Sequence, residues 1–115
     1  MSDKTTGSFV HDSDIEWDDL GDGISRKLLT YNKDAMMARI KFKAGAVGAA
    51  HSHPHVQCSY VESGEFELTI DGEVRKLVAG DSFIVHTGLL HGAVALTDGV
   101  LIDVFTPMRE DFLTG

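Results

Sequence analysis

Along most of this chain apolar and polar residues alternate with a period of two. Ala38, Ile40 and Phe42 interleave with Arg39, Lys41 and Lys43, the pattern of a strand with one buried face. Phe66, Leu68 and Ile70 interleave with Glu65, Glu67 and Thr69 in the same way. Asp71-Gly72 follows at once, a pair suited to a two-residue hairpin because both turn positions need positive φ. Residues 74–78 read as the return strand, and 82–85 and 91–96 as further strands. Asp98-Gly99 reads as a second hairpin turn leading into 100–105. A helical period shows only in the short tail, 108–113. Short strands at regular spacing between turn signals predict an all-β sandwich or barrel.

The first 23 residues break this pattern. They are polar and acidic, with Asp12, Asp14, Glu16, Asp18, Asp19 and Asp22, and only Ile15 and Trp17 are placed to anchor them. The chain therefore divides into an acidic lead-in, 1–23, and one barrel domain with a short tail, 24–115. Its 115 residues suit a single domain, since domains run to roughly 100–200 residues. A domain this small has an unfavourable ratio of surface to volume, and pairing into a homodimer is expected.

Net charge changes the list of partners. At −8 the chain is unsuited to nucleic acid, whose phosphates require a Lys/Arg surface, and to anionic membranes. An anionic substrate would have to be captured by local positive charge, from a metal or from one of the few arginines. The single cysteine, Cys58, excludes an intramolecular disulfide and suits a reducing compartment. It lies in the apolar run Val56, Cys58, Tyr60 and is expected to be packed core. The N-terminus has no basic start followed by an apolar run, and no stretch approaches the roughly 18 apolar residues of a membrane span. A cytoplasmic protein is expected.

Most of the chemistry lies in one segment, Gly45-Ala-Val-Gly-Ala-Ala-His51-Ser-His53-Pro-His55-Val-Gln57. Residues two apart on a strand share a face, so His51, His53, His55 and Gln57 would point together unless Pro54 disturbs them. Two imidazoles at this spacing, joined by a third from another strand, can surround a divalent ion. His91 is the candidate for the third, and Gly88 permits a tight turn just before its strand. Spacing alone leaves a metal site and an incidental histidine cluster equally open.

The two segments resemble the two motifs of the cupin superfamily. In the first, Gly45, His51, His53, Gln57 and Gly64 fall on the motif positions, with Gln57 where glutamate is usual. In the second, Gly80, Gly88 and His91 match, while His86 replaces proline and Ala95 replaces asparagine. The resemblance implies a single-domain cupin β-barrel holding one divalent transition metal ion (Ni, Zn, Mn or Fe) with His51, His53, Gln57 and His91. A neutral amide in place of a carboxylate leaves the ion's charge uncancelled, which favours polarising a substrate oxygen over O₂ chemistry.

The run Leu101-Ile-Asp103-Val-Phe105-Thr-Pro107-Met-Arg109-Glu-Asp-Phe112-Leu113, taken with His51-Ser-His53-Pro-His55 and Gln57, is similar to the pectin-degradation cupins of the KdgF type. That resemblance implies a sugar-acid substrate. The implied reaction converts 4,5-unsaturated monouronates from pectin or alginate to the linear keto acid by ring opening and tautomerisation. It also implies roles for Asp103 as acid/base, Arg109 as the cation for the uronate carboxylate, and Phe105 as a wall against the sugar. The opposing readings are a buried ion pair for Asp103, core packing for Phe105 and a surface ion pair with Glu110 or Asp111 for Arg109. Two other functions remain open on sequence: a small cupin dioxygenase, and a non-catalytic metal- or sugar-binding module.

Overall fold

A computed structural model describes residues 4–113. Ten strands carry the architecture among these residues: β1 (Asp18–Gly21), β2 (Ile24–Asn32), β3 (Ala35–Phe42), β4 (Val47–His51), β5 (Val56–Ser63), β6 (Glu65–Ile70), β7 (Glu73–Val78), β8 (Ser82–Val85), β9 (His91–Ala95) and β10 (Gly99–Thr106). They form two antiparallel sheets, a six-stranded one in the order β1-β2-β3-β10-β5-β8 and a four-stranded one in the order β4-β9-β6-β7. The tail forms a single 3-10 turn, Glu110–Phe112.

The two-residue period becomes an inside and an outside. On β3, Ala38, Ile40 and Phe42 are buried, and on β6 so are Phe66 and Leu68. These join Val61, Ala95 and Leu101 in one core between the sheets, with Phe42 and Phe66 meeting edge to face at 5.2 Å. The β6–β7 hairpin forms as predicted: Asp71 and Gly72 take φ of 49° and 81°, and Ile70 pairs with Glu73. Asp98-Gly99 does not form a hairpin. β9 pairs with β4 and β6, while β10 pairs with β3 and β5, so this turn carries the chain from one sheet to the other. The crossing is tight: a Cβ on Gly64 would lie 2.4 Å from the Asp98 carbonyl oxygen, and its φ is +83°. Only glycine fits there.

The alternation on β5 runs opposite to expectation. Gln57, Ser59 and Val61 face inward, while Cys58 and Tyr60 are exposed, Tyr60 by 49%. Cys58 is therefore surface, not core. The inward face of β5 is polar at one end because it lines a cavity rather than packed apolar interior.

The acidic lead-in lies against the outside of the six-stranded sheet. β1 pairs with β2, Asp12 forms ion pairs with Lys27 and Arg39, and Trp17 lies over the ammonium groups of Lys27 and Lys41 at 4.9 and 4.3 Å. The basic, outward side of the β3 alternation is thus the surface on which the lead-in docks.

Candidate active site

Between the sheets is a cavity of about 250 Å³ whose wall includes His51, Gln57, His91, Asp103, Phe105 and Arg109. Each sheet supplies part of it. His51 ends β4 directly opposite His91 on β9, in the four-stranded sheet. Gln57 and Ser59 on β5 sit opposite Phe105 and Asp103 on β10, in the six-stranded sheet. His53 comes from the loop between β4 and β5, whose position is fixed by a hydrogen bond from the Gly88 amide to the His53 carbonyl (2.9 Å). His51, His53 and Gln57 therefore converge from two sheets and a loop, not from one strand face.

One ligand nitrogen from each of His51, His53 and His91 lies within 4.8 Å of the others. Their rings meet at centroid distances of 4.4 Å (His51–His91), 4.8 Å (His53–His91) and 5.5 Å (His51–His53). Backbone carbonyls orient all three. The Nδ1 atoms of His51, His53 and His91 donate to the carbonyls of Ala49, His55 and Leu89 at 3.0, 3.1 and 3.0 Å. A carbonyl only accepts, so in the neutral rings the proton sits on Nδ1 and Nε2 keeps its lone pair. Burial holds His53 and His91 below the ordinary imidazole value, favouring that neutral form.

The donor set fits a cation. His91 Nε2 is buried with no hydrogen-bond partner among the described residues. His53 Nε2 lies 3.1 Å from Gln57 Oε1, where two lone pairs face each other. A cation held between them would satisfy both atoms. The three histidines could hold a metal ion, and Gln57 is placed beside them. His55 is outside this cluster. Its ring packs edge-on against His53 at 5.4 Å, and its Nδ1 is buried without a hydrogen-bond partner among the described residues.

Gln57 also connects the histidines to Asp103. Its Nε2 donates to Ser59 Oγ at 3.0 Å, and Ser59 Oγ donates to Asp103 Oδ1 at 2.6 Å. Burial pushes the Asp103 carboxyl up to about 6, against the opposing pull of the Ser59 and Gln57 hydrogen bonds and the charges of Arg109 and His51. Phe105 is buried and meets His53 edge to face at 5.8 Å. Arg109 Nε and Nη2 donate to the two carboxylate oxygens of Asp111 at 3.0 and 2.8 Å, and the guanidinium stacks on Phe112 at 4.3 Å. The ion pair with Asp111 is thus formed, within a residue that also lines the cavity.

Two participants were not singled out from sequence. Ser59 could have been found from its parity with Gln57 on β5. Arg26 on β2 also lines the cavity, and nothing in its local sequence distinguishes it from a surface cation.

Residues 38–105 match the cupin domain family. The chain is a cupin. This cupin is 46% identical over 104 residues to the pectin degradation protein KdgF of Dickeya dadantii (strain 3937), covering 89% of this chain and 94% of that one. Among solved structures it resembles an RmlC-like cupin from Shewanella frigidimarina, with a TM-score of 0.92 and 44% identity, covering 94% of this chain and 97% of that one. It also resembles KdgF from Halomonas sp., with a TM-score of 0.89 and 43% identity, covering 93% of this chain and 99% of that one. The expected cupin β-barrel is the fold, and this cupin is a homologue of the KdgF proteins. Among the described residues no helix is long and apolar enough to cross a membrane.

Proposed function

We propose that this cupin is a metal-dependent enzyme that opens the ring of 4,5-unsaturated monouronates and converts them to the linear keto acid. The observation that carries the reading is a buried carboxyl, raised to about 6, connected through Ser59 and Gln57 to a cluster of three imidazoles. His51, His53, Gln57 and His91 would hold one divalent transition metal ion, which supplies Lewis acidity toward substrate oxygens. With a neutral amide in the set, that acidity is not offset by a ligand charge.

The remaining work falls to the protein's own groups. Asp103 as carboxylate takes the proton of the anomeric hydroxyl. The C1–ring oxygen bond breaks, C1 becomes an aldehyde and the ring oxygen is left on C5 as an enolate. Transfer of the proton from Asp103 to C4 then yields the C5 ketone, so that the substrate isomerises and the Asp103 carboxylate is regenerated. A carboxyl near 6 can both take and return a proton close to neutrality. Ser59, donating to Asp103 Oδ1, fixes which oxygen remains free for this task. Phe105 closes the wall beside His53, and Arg109 brings positive charge to the substrate's carboxylate. Two copies of the chain associate through the outer face of the six-stranded sheet.

The test is a real-time proton spectrum of 4,5-unsaturated galacturonate with and without the purified protein. Rapid loss of ring signals and growth of the linear keto acid, abolished by stripping the metal, is the expected result. No acceleration by metal-loaded protein would refute the uronate function. Asp103→Asn should lower turnover by about 100-fold or more while metal content by elemental analysis stays at the wild-type level. Wild-type turnover in that variant would remove Asp103 from the mechanism.

A further inference from the structure

Two guanidinium groups line the cavity, and their hydrogen bonding differs. Arg109 already has an anion, since its Nε and Nη2 are bound by Asp111. Arg26, on β2, reaches the same cavity, and its guanidinium carbon lies 4.0 Å from the centroid of the Phe112 ring. Arg109 stacks on that ring too, at 4.3 Å. The tail therefore holds two like charges around one phenyl group. The Nε of Arg26 is buried and has no hydrogen-bond partner among the described residues.

A buried guanidinium donor without an acceptor is unfavourable, and a second cation nearby adds to the cost. Desolvation and the charge of Arg109 both weaken the Arg26 cation, and the charges of Asp18 and Asp111 only partly offset them. Neither carboxylate accepts a hydrogen bond from the buried Nε. The deficit is one acceptor with negative charge, beside a cavity that His51, His91 and Asp103 also line. A planar carboxylate is the complement of a free guanidinium edge.

We propose that Arg26 is a substrate-binding residue that receives the carboxylate of the sugar acid with its guanidinium, beside an Arg109 already held by Asp111. This rests on the uronate reading above and adds to it the residue that selects acids over neutral sugars. The stack on Phe112 sets the guanidinium plane, so the donors are in place before substrate arrives.

The test compares Arg26→Gln with the wild type on unsaturated galacturonate and on its methyl ester, which presents no charged carboxylate. For the acid, Arg26→Gln should raise KM by about 10- to 100-fold with kcat little changed. For the ester, both proteins should show the same KM, and Arg26→Lys should recover part of the loss on the acid. Equal impairment on acid and ester would mean that Arg26 only supports the tail, and an unchanged KM on the acid would equally overturn the proposal. A second readout separates this inference from the reaction itself: binding of saturated galacturonate, followed by calorimetry, with galactose as the neutral control. Galacturonate binding that Arg26→Gln abolishes, in a protein that accelerates no ring opening, would sustain the carboxylate site and refute the proposed reaction. Neither binding nor turnover in the wild type would refute both.

Discussion

Asp103 is buried with Ser59 Oγ as its hydrogen-bond donor, and that burial raises its carboxyl from 3.8 to about 6. A group whose folded value is raised binds its proton more tightly in the folded state. The stability it contributes is complete below the unfolded value near 4 and is lost as pH rises through about 6. At ~1.4 kcal/mol per unit, a carboxyl displaced from 3.8 to about 6 costs the metal-free protein about 3 kcal/mol above that range. Asp103→Asn removes the titration and keeps an acceptor for Ser59. In urea melts of metal-stripped protein the variant should match the wild type at pH 4 and exceed it by a few kcal/mol at pH 7.5. A difference that does not change between those two pH values would show that Asp103 does not titrate there. This conflict was legible in sequence as a carboxylate inside the apolar run of residues 100–105, and so were the histidines, because metal ligands and charged core positions stand out from an alternating pattern. Arg26 was not legible. Its significance is that its Nε lacks a partner, and a missing partner is a property of three-dimensional packing that no local pattern encodes.

The strands read best from sequence were those with one face in the apolar core. β3 and β6 follow the alternation of Ala38, Ile40 and Phe42 and of Phe66 and Leu68, and the Asp71-Gly72 turn follows β6. β5 misled for a physical reason: where a strand lines a polar cavity, its inner face carries Gln57 and Ser59, and Cys58 and Tyr60 point outward. Asp98-Gly99 misled because turn chemistry specifies a reversal but not which sheet receives the next strand. The lead-in looked like a loosely anchored acidic segment, yet its anchors meet specific partners, Asp12 with Lys27 and Arg39 and Trp17 with Lys27 and Lys41. Trp17→Ala removes two cation–π contacts and a half-buried ring, and should cost about 1–2 kcal/mol in a urea melt. Trp17 is the single tryptophan, so the wild-type fluorescence reports the docking directly. Added salt should leave that emission largely unchanged if the aromatic contacts dominate. A shift toward the solvent-exposed wavelength as salt rises would assign the docking to the ion pairs of Asp12 instead.

At the scale of the molecule, the placement of the cavity leaves an apolar row across part of one outer surface. Met37, Val104, Cys58 and Ile84 stand side by side across β3, β10, β5 and β8, because Val104 pairs with both Met37 and Cys58, and Cys58 pairs with Ile84. Tyr60 extends the row, and Met37, Tyr60 and Ile84 are 37%, 49% and 45% exposed. Side chains alternate across a strand, so the same reversal that turns Gln57 and Ser59 toward the cavity turns Cys58 and Tyr60 to this surface. An apolar row on a strongly acidic protein suits contact with another apolar surface. A second copy is the occupant that the proposed homodimer requires, since an isologous pair sets the row against itself. Stable pairs bury roughly 800 Å² per partner, which is more than the row alone and would extend to neighbouring positions such as Ile102 and Ser82. Ile84→Glu places a charge at the β8 end of the row and should convert a dimer to a monomer in analytical ultracentrifugation at micromolar concentration. Because Ile84 is exposed on the face opposite the cavity, ring-opening activity per chain should persist in that monomer. A wild type that sediments as a monomer, or an Ile84→Glu variant that remains dimeric, would exclude this face as the interface. Loss of activity on dissociation would instead show that the neighbouring copy steadies β5 and β10, the strands that carry Gln57, Ser59 and Asp103.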